Sequence, residues 1–185
     1  NPTTPYAITH MAIDSMLLAF YGTFKFPSII LRFSNFYGPG QQLYRIIPQT
    51  ILKILKKEKL KLHGSGKSLR SFIYSDDFCK AIFLTIKKGT PGQTYNISSK
   101  EILSISQIVK KITKIMKYDY KKLVINVKDR KSKDFKYFMS SDKANKKLKW
   151  TNMFKFNSGL LKTVVWYKDN FNKLKNKNNK YKHKK

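Results

Sequence analysis

Apolar positions along the chain alternate between helical and strand spacing. Residues 6–24 place Ile8, Met11, Ala12, Met16, Leu17, Phe20 and Tyr21 three or four apart, which predicts a helix with one apolar face. Thr3 or Thr4 is available as its cap and Pro5 suits its first turn. Beyond Gly22 and Pro27, residues 28–34 form a short apolar run, the mark of a strand buried on both faces of a parallel sheet. A helix followed by such a strand is half of a βαβ repeat. Tyr37-Gly38-Pro39-Gly40 breaks the pattern, and residues 44–57 resume helical spacing through Ile46, Ile47, Ile51, Leu52 and Leu55.

After residues 60–63 comes a Gly64-Ser65-Gly66 turn, then a predicted strand at 69–74 and a helix opening at Asp76 or Asp77, either of which can cap it. That helix runs to the turn at 89–92. Residues 94–97 read as another buried strand, 104–117 as an amphipathic helix capped by Ser104 or Ser106, and 123–127 as a strand. Short helices near 141–148 and 157–171 follow. From residue 171 the chain is rich in Lys and Asn and has no acid, so 171–185 reads as a basic, disordered tail.

Composition narrows the classes. With 41% hydrophobic and 14% aromatic residues among 185, the chain is too apolar to be disordered, and a packed core is expected. The single cysteine, Cys79, excludes an intramolecular disulfide framework, and His10, His63 and His183 have no zinc-ligand spacing. No apolar run reaches the ~18 residues of a membrane span, and no signal-peptide layout is present, so a cytoplasmic location is expected. The chain starts at Asn1 without an initiator Met, in a polar turn, as a fragment would. The net charge of +29 comes from 39 Lys and Arg against 10 Asp and Glu, yet only four of the cations are Arg. Lys rises together with Asn, Ile, Phe and Tyr, the set encoded by A+T-rich codons, so coding bias accounts for much of the excess.

Several motifs then occur in a fixed order. Pro5-Tyr6-Ala7-Ile8-Thr9-His10 is followed by Ser34-Asn35-Phe36-Tyr37-Gly38-Pro39, then Arg45-Ile46-Ile47-Pro48. Next come His63-Gly64-Ser65-Gly66, Leu69-Arg70-Ser71-Phe72-Ile73, Asp76-Asp77 and Tyr95-Asn96-Ile97. Lys128-Asp129-Arg130 with Tyr137, Leu148-Lys149-Trp150 and a closing helix with Trp166-Tyr167 complete the set. In this order the sequence resembles the extended short-chain dehydrogenase/reductase (NAD-dependent epimerase/dehydratase) family. Within it, the likeness is to the nucleotide-sugar 4,6-dehydratases, most of all those acting on dTDP-glucose.

The resemblance implies an α/β fold: the C-terminal part of a NAD(P)-binding Rossmann fold plus a smaller mixed α/β substrate-binding domain. Residues 1–42 and about 71–98 fall in the Rossmann part, and about 43–70 and 99–170 in the substrate-binding part. It also implies NAD as cofactor, a nucleotide-diphosphate sugar as substrate and a homodimer. Tyr6 matches the family tyrosine that takes the proton of the sugar 4-hydroxyl, and the lysine four residues on normally stabilises its phenolate. A free phenol, with a pKa of ~10, is a poor base at neutral pH without such help. Here the second position is His10, a match for cofactor binding, but a largely neutral imidazole does not reproduce a permanent ammonium.

Substrate binding falls by resemblance to Asn35, Arg45, Arg70, Asn96 and Arg130. Guanidinium forks suit a diphosphate, because they bind its oxygens in pairs where lysine acts as a point charge. Arg32, inside a strand, reads as structural. Lys131, Ser132 and Lys133 depart from the Pro-Gly-His that follows Asp-Arg in the family. The chain has no Gly-x-x-Gly-x-x-Gly phosphate loop, and the catalytic Thr and Asp-Glu pair of the 4,6-dehydratases would lie before Asn1. Dehydratase and 4-epimerase therefore both remain, as does a non-catalytic relative. A nucleic-acid-binding role fits the charge and aromatics, but the lysines are spread through every element and no nucleic-acid motif is visible.

Overall fold

The computed structural model describes residues 4–129 and 135–178. Helix α1 spans Pro5–Phe24, with the Thr4 hydroxyl accepting from the Ala7 amide at 3.2 Å and proline in the first turn, as the sequence predicts. Strand β1 (Ile30–Phe33) is shorter than the apolar run, and Arg32 and its neighbours are only partly covered, so the expected burial on both faces is not met within this chain. Among the described residues it pairs with β5 (Thr94–Ile97), parallel, with Arg32 opposite Asn96 and Phe33 opposite Ile97.

A second sheet forms around β4 (Leu69–Tyr74). Strand β2 (Asn35–Tyr37) pairs parallel with it, with Asn35 opposite Phe72. Strand β6 (Ile102–Ser104) pairs antiparallel with its first half, and β8 (Lys136–Tyr137) parallel, with Tyr137 opposite Arg70. A third pair joins β3 (Leu60–His63) to β7 (Val124–Val127) in parallel. The motif residues 35–37 are thus a strand, where periodicity alone showed a break.

The remaining helices are α2 (Ile46–Leu55), α3 (Ser75–Lys88), α4 (Ile105–Ile115), α5 (Tyr120–Leu123), α6 (Asp142–Leu148), α7 (Phe156–Asp169) and α8 (Phe171–Leu174). Helix α4 opens on a capping box: the Ser104 hydroxyl accepts from the Gln107 amide at 3.1 Å while the Gln107 side chain accepts from the Ser104 amide at 2.7 Å. The cap expected for α3 does not form. Its first turn holds Asp76 and Asp77, but the buried Asp77 carboxylate instead accepts from the Met153 and Phe154 amides at 2.8 and 3.1 Å. The Asp77 carbonyl also accepts from the Trp150 indole at 3.0 Å, so this corner closes the loop that leads into α7. The tail expectation is corrected at its start: residues 171–174 are helical and Leu174 is buried, because Phe171 and Leu174 pack on the core beside α7.

Two apolar clusters result. One gathers α2, α4 and α7 with Tyr37, Phe72 and Tyr74. The other joins β1 and β5 through Tyr95 and Ile97 to Ile73, Ala81, Ala144, Leu148 and Trp150. Residues 142–150, expected with the substrate-binding part, therefore pack against β5 and α3. Gly159 lets α7 lie flat on the first cluster, since a Cβ there would meet the Tyr37 hydroxyl at 2.6 Å. No helix among the described residues is long and apolar enough to cross a membrane.

Helix ends use lysine where glycine is usual. Lys25, Lys57, Lys117 and Lys149 all have φ between 51° and 58°. At α2 and α4 the following amides, Glu58 and Tyr118, bond back to the Lys53 and Thr113 carbonyls at 2.8 and 2.9 Å, which is the Schellman closure. A side chain in this region costs about 1 kcal/mol, which glycine escapes. Lys57→Gly, Lys117→Gly and Lys149→Gly are each expected to stabilise the fold by ~0.5–1 kcal/mol in urea unfolding.

Two buried phenols give a second expectation. Tyr37 donates to the Phe156 carbonyl at 2.9 Å and Tyr167 to the Gln41 carbonyl at 2.7 Å. Burial, aided by Tyr74, Glu101 and Asp77, pushes the Tyr37 ionisation far above the usual phenol range, and burial does the same for Tyr167. In the unfolded chain both phenols release their protons near pH ~10, whereas the folded chain keeps them. Stability is therefore full below that pH and falls above it, by up to ~1.4 kcal/mol per pH unit for each phenol. Tyr167→Phe is expected to make the alkaline limb of an unfolding series shallower.

Candidate active site

Tyr6 and His10 lie one turn apart on α1, with ring centroids 4.3 Å apart and planes inclined at 51°. Both are exposed, Tyr6 to 73%. Among the described residues, no hydrogen bond or ion pair joins them to the strands. Ties of helix α1 to the rest include the ion pair of Asp14 with Arg32 at 2.6 Å, the Ser28 hydroxyl donating to the Leu17 carbonyl at 3.2 Å, and the Tyr21 ring against Gly92. Arg32, read as structural, makes its ion pair with Asp14 of α1.

The strands gather a second set. In parallel pairing, opposite residues share a face of the sheet. Arg32 reaches α1, so Asn96 opposite it lies on the α1 face of β5, while Tyr95 and Ile97 enter the core on the other face. Just past β1, the Ser34 amide donates to the Ile97 carbonyl at 3.0 Å. The Ser34 hydroxyl and the Asn96 carbonyl oxygen Oδ1 are both buried without a hydrogen-bond partner. A buried polar atom left unpaired is costly and calls for an explanation, such as a bound molecule.

Asn35 opens β2 opposite Phe72, two residues beyond Arg70 on β4, so Asn35 and Arg70 share one sheet face. Arg70 is half-buried, and one of its guanidinium nitrogens donates to the Leu69 and Phe135 carbonyls at 2.7 and 3.3 Å, which fixes the orientation of the fork. Tyr137 stands beside it in the β8 register, with its hydroxyl 3.6 Å from the Met139 sulfur. Tyr137 is absent from the residues singled out for binding by sequence. The ordered motif contains it, but only the β4–β8 pairing brings it next to Arg70.

The β3–β7 pair sets His63 opposite Val127, and the His63 Nδ1 meets the Lys128 carbonyl at 3.2 Å. The Asp129 carboxylate packs directly on Gly64, whose φ of 56° and bare Cα leave room for it. Arg130 follows at once and lies outside the described residues, as do Lys131, Ser132 and Lys133. Arg45 is the N-cap residue of α2, exposed, with its guanidinium 5.4 Å from the Tyr44 ring centroid. The structure thus brings Asn35 and Arg70 onto one face of the paired strands β2 and β4, sets Asn96 on β5 in the separate β1–β5 pair, and places Tyr6 beside His10. Among the described residues, no hydrogen bond or ion pair joins Arg45 to either group.

A separate cleft of about 850 Å³ lies between residues 98–101, 138–142 and 150–156, and none of the sequence-predicted site residues lines it. Its floor is a serine network. Ser71 donates to the Ser99 carbonyl at 2.7 Å, Ser98 to the Ser71 hydroxyl at 3.1 Å, and the Ser98 amide to Ser141 at 2.7 Å.

Known proteins match this arrangement throughout. A dTDP-D-glucose 4,6-dehydratase of Homo sapiens is 34% identical over 181 residues, covering 95% of this chain and 51% of that protein. The dTDP-glucose 4,6-dehydratase of Neisseria gonorrhoeae is 31% identical over 185 residues, covering 95% and 54%. Among solved structures, dTDP-glucose 4,6-dehydratase from Bacillus anthracis str. Ames in complex with NAD superposes with a TM-score of 0.88 at 31% identity, covering 93% of this chain and 54% of that one. UDP-glucose 4-epimerase from Thermotoga maritima with UDP-glucose gives 0.87 at 26% identity, covering 92% and 55%. The chain spans about half the length of the curated relatives it matches. The NAD dependent epimerase/dehydratase family matches residues 1–98, more than half of the sequence, and the chain belongs to that family.

Proposed function

We propose that this chain is the later part of a NAD-dependent nucleotide-sugar 4,6-dehydratase, which turns a dTDP-glucose-like substrate into a 4-keto-6-deoxy sugar nucleotide. The observation that carries this reading is the continuous likeness, over 95% of the chain, to proteins of that name from human to bacterium. The epimerase likeness is lower in identity and stands second.

The residues in hand fit the nicotinamide end of NAD. Tyr6 and His10 share an open helix face, and the unpartnered Ser34 hydroxyl and Asn96 Oδ1 lie at the carboxyl ends of β1 and β5, the end at which open α/β sheets hold ligands. Bound there, the cofactor would accept a hydride from the sugar C4 and return one at C6. Tyr6 is read as the group that receives the 4-hydroxyl proton. Asn35 and Asn96 are read as hydrogen-bonding groups for the sugar or nucleotide, and Arg45, Arg70 and Arg130 as the cations for its diphosphate. The carbonyl contacts that orient Arg70 support this role, because a fork held in place loses less entropy on binding.

In this reading residues 1–42 and about 71–98 belong with a dinucleotide-binding domain, the rest of the fold holds the substrate, and the enzyme works in the cytoplasm. It is a homodimer. Support for the pairing comes from α1, which exposes Ile8, Met11, Ile13, Met16, Leu18, Phe20 and Phe24 and buries none of its residues. A helix apolar on all sides is one that other elements cover.

The test uses the full-length protein with NAD and dTDP-glucose, with the product analysed by mass and NMR. A 4-keto, 6-methyl sugar is expected, and Tyr6→Phe is expected to lower kcat by ~10²–10⁴-fold. Arg70→Lys is expected to raise KM about tenfold with little change in kcat, since it removes bidentate binding alone. Inversion at C4 without loss of water would move the assignment to the epimerase.

A further inference from the structure

We propose that Tyr6, His10 and Asp14 form a proton relay along one face of α1, in which His10 receives the Tyr6 phenol proton and Asp14 stabilises the imidazolium so formed. The inference rests on reading Tyr6 as the base toward the sugar. Residues i, i+4 and i+8 of a helix stand in one row. At the outer end of this row the Tyr6 and His10 rings are in contact, 4.3 Å between centroids. At the inner end Asp14 is held in place by Arg32. Both recorded contacts, from Nε at 2.7 Å and from a terminal nitrogen at 2.6 Å, fall on Oδ2. Oδ1 has no partner among the described residues and remains to accept from the next side chain along the row.

Tyr6 is in ring contact with His10, Asp14 follows one turn further along the same helix, and the charge of Asp14 is shared with Arg32 of β1. A neutral imidazole has one acceptor and one donor nitrogen, so it can accept from a phenol while donating to a carboxylate. A lysine ammonium has no acceptor and cannot do this. Both side chains are exposed, and rotamer changes at such positions take only ~ps–ns, so contact converts readily to a hydrogen bond.

As the C4–H electron pair leaves with the hydride to the nicotinamide dinucleotide of the proposed reaction, the sugar O–H bond breaks and its proton bonds to the Tyr6 oxygen. The proton already on Tyr6 passes to the free His10 nitrogen. The carbonyl forms, His10 gains one positive charge beside Asp14, and the protons run back when the hydride returns.

Two measurements on the full-length protein test this. The first needs no cofactor: NMR titration of the His10 ring. Asp14→Asn should lower its midpoint by about half a pH unit or more, since a facing anion favours the charged ring. Arg32→Gln should raise it, by unmasking Asp14. A midpoint unmoved by both substitutions overturns the relay, and the opposite signs separate a charge effect from simple loosening of α1. The second is the pH dependence of kcat, which should fall tenfold per pH unit below the His10 midpoint. His10→Gln should lower kcat at least tenfold and abolish that limb, and His10→Lys should restore activity without it. A wild-type kcat that falls as pH rises through the midpoint means His10 acts as a cation, and overturns the relay. Full activity in Tyr6→Phe overturns the underlying reading instead, and it is recognised because the shifts of the first measurement persist.

Discussion

Strand β4 is the element on which the rest of the fold depends, because both of its faces are buried. Its alternation sends Phe72 and Tyr74 into the cluster under α2, α4 and α7, and Ile73 into the cluster beneath β1 and β5. A one-residue slip would exchange these sets, so the register is tightly specified. Three strands take their place from it. Ser71, buried between the clusters, links β4 to the end of β5 through Ser98 and Ser99. At its end β4 delivers Asp77, which closes the 150–154 loop. Arg70 at its start is held by the Leu69 and Phe135 carbonyls, an orientation that suits the anion-binding role proposed for it.

Helix α1 is the opposite case. Its apolar residues are exposed on all sides, and it is fixed mainly by one ion pair, a serine hydroxyl and a tyrosine ring. A partly exposed ion pair contributes only ~0–1 kcal/mol. The two halves of the candidate site therefore differ physically: the proposed binding groups stand on a stiff sheet, and the proposed proton-transfer groups stand on a helix whose position depends on what covers it. The Asp14–Arg32 pair is the link between them, since Arg32 lies opposite Asn96 on the same sheet face.

Long periodic segments were legible in the sequence: α1, α2, α4 and α7 appear close to where spacing and caps put them, and the Ser104 cap is the one chosen. Strands β2, β6 and β8 were not, because two or three residues carry no period and exist only by pairing with β4. Asp77 misled for a related reason. A carboxylate at a helix start satisfies local capping rules, yet tertiary structure assigned it to amides 76 and 77 residues away. Within the site, the motif order identified Tyr6, Asn35, Arg70 and Asn96 as residues of interest. It could not show that Asn35 and Arg70 share a face or that Tyr137 adjoins Arg70, because both follow from register.

The charge excess is best understood through the residues that are scarce. Lysines occupy the last turns of α2, α3, α4, α6 and α7, where carbonyl ends favour cations by a few tenths of a kcal/mol. They even take left-handed positions better suited to glycine, which is how a compositional background behaves. Acids are few and specifically engaged: Asp14 with Arg32, Glu58 with Lys53, Asp77 in the loop corner, and Asp119 as the cap of α5. Arginines are fewer still, and Arg32, Arg45 and Arg70 each have a defined partner. A surface built for a polyanion would concentrate its cations on one face. Here the common cation is dispersed and the rare one is placed, so the electrostatic information in this chain lies in its arginines and carboxylates rather than in its net charge.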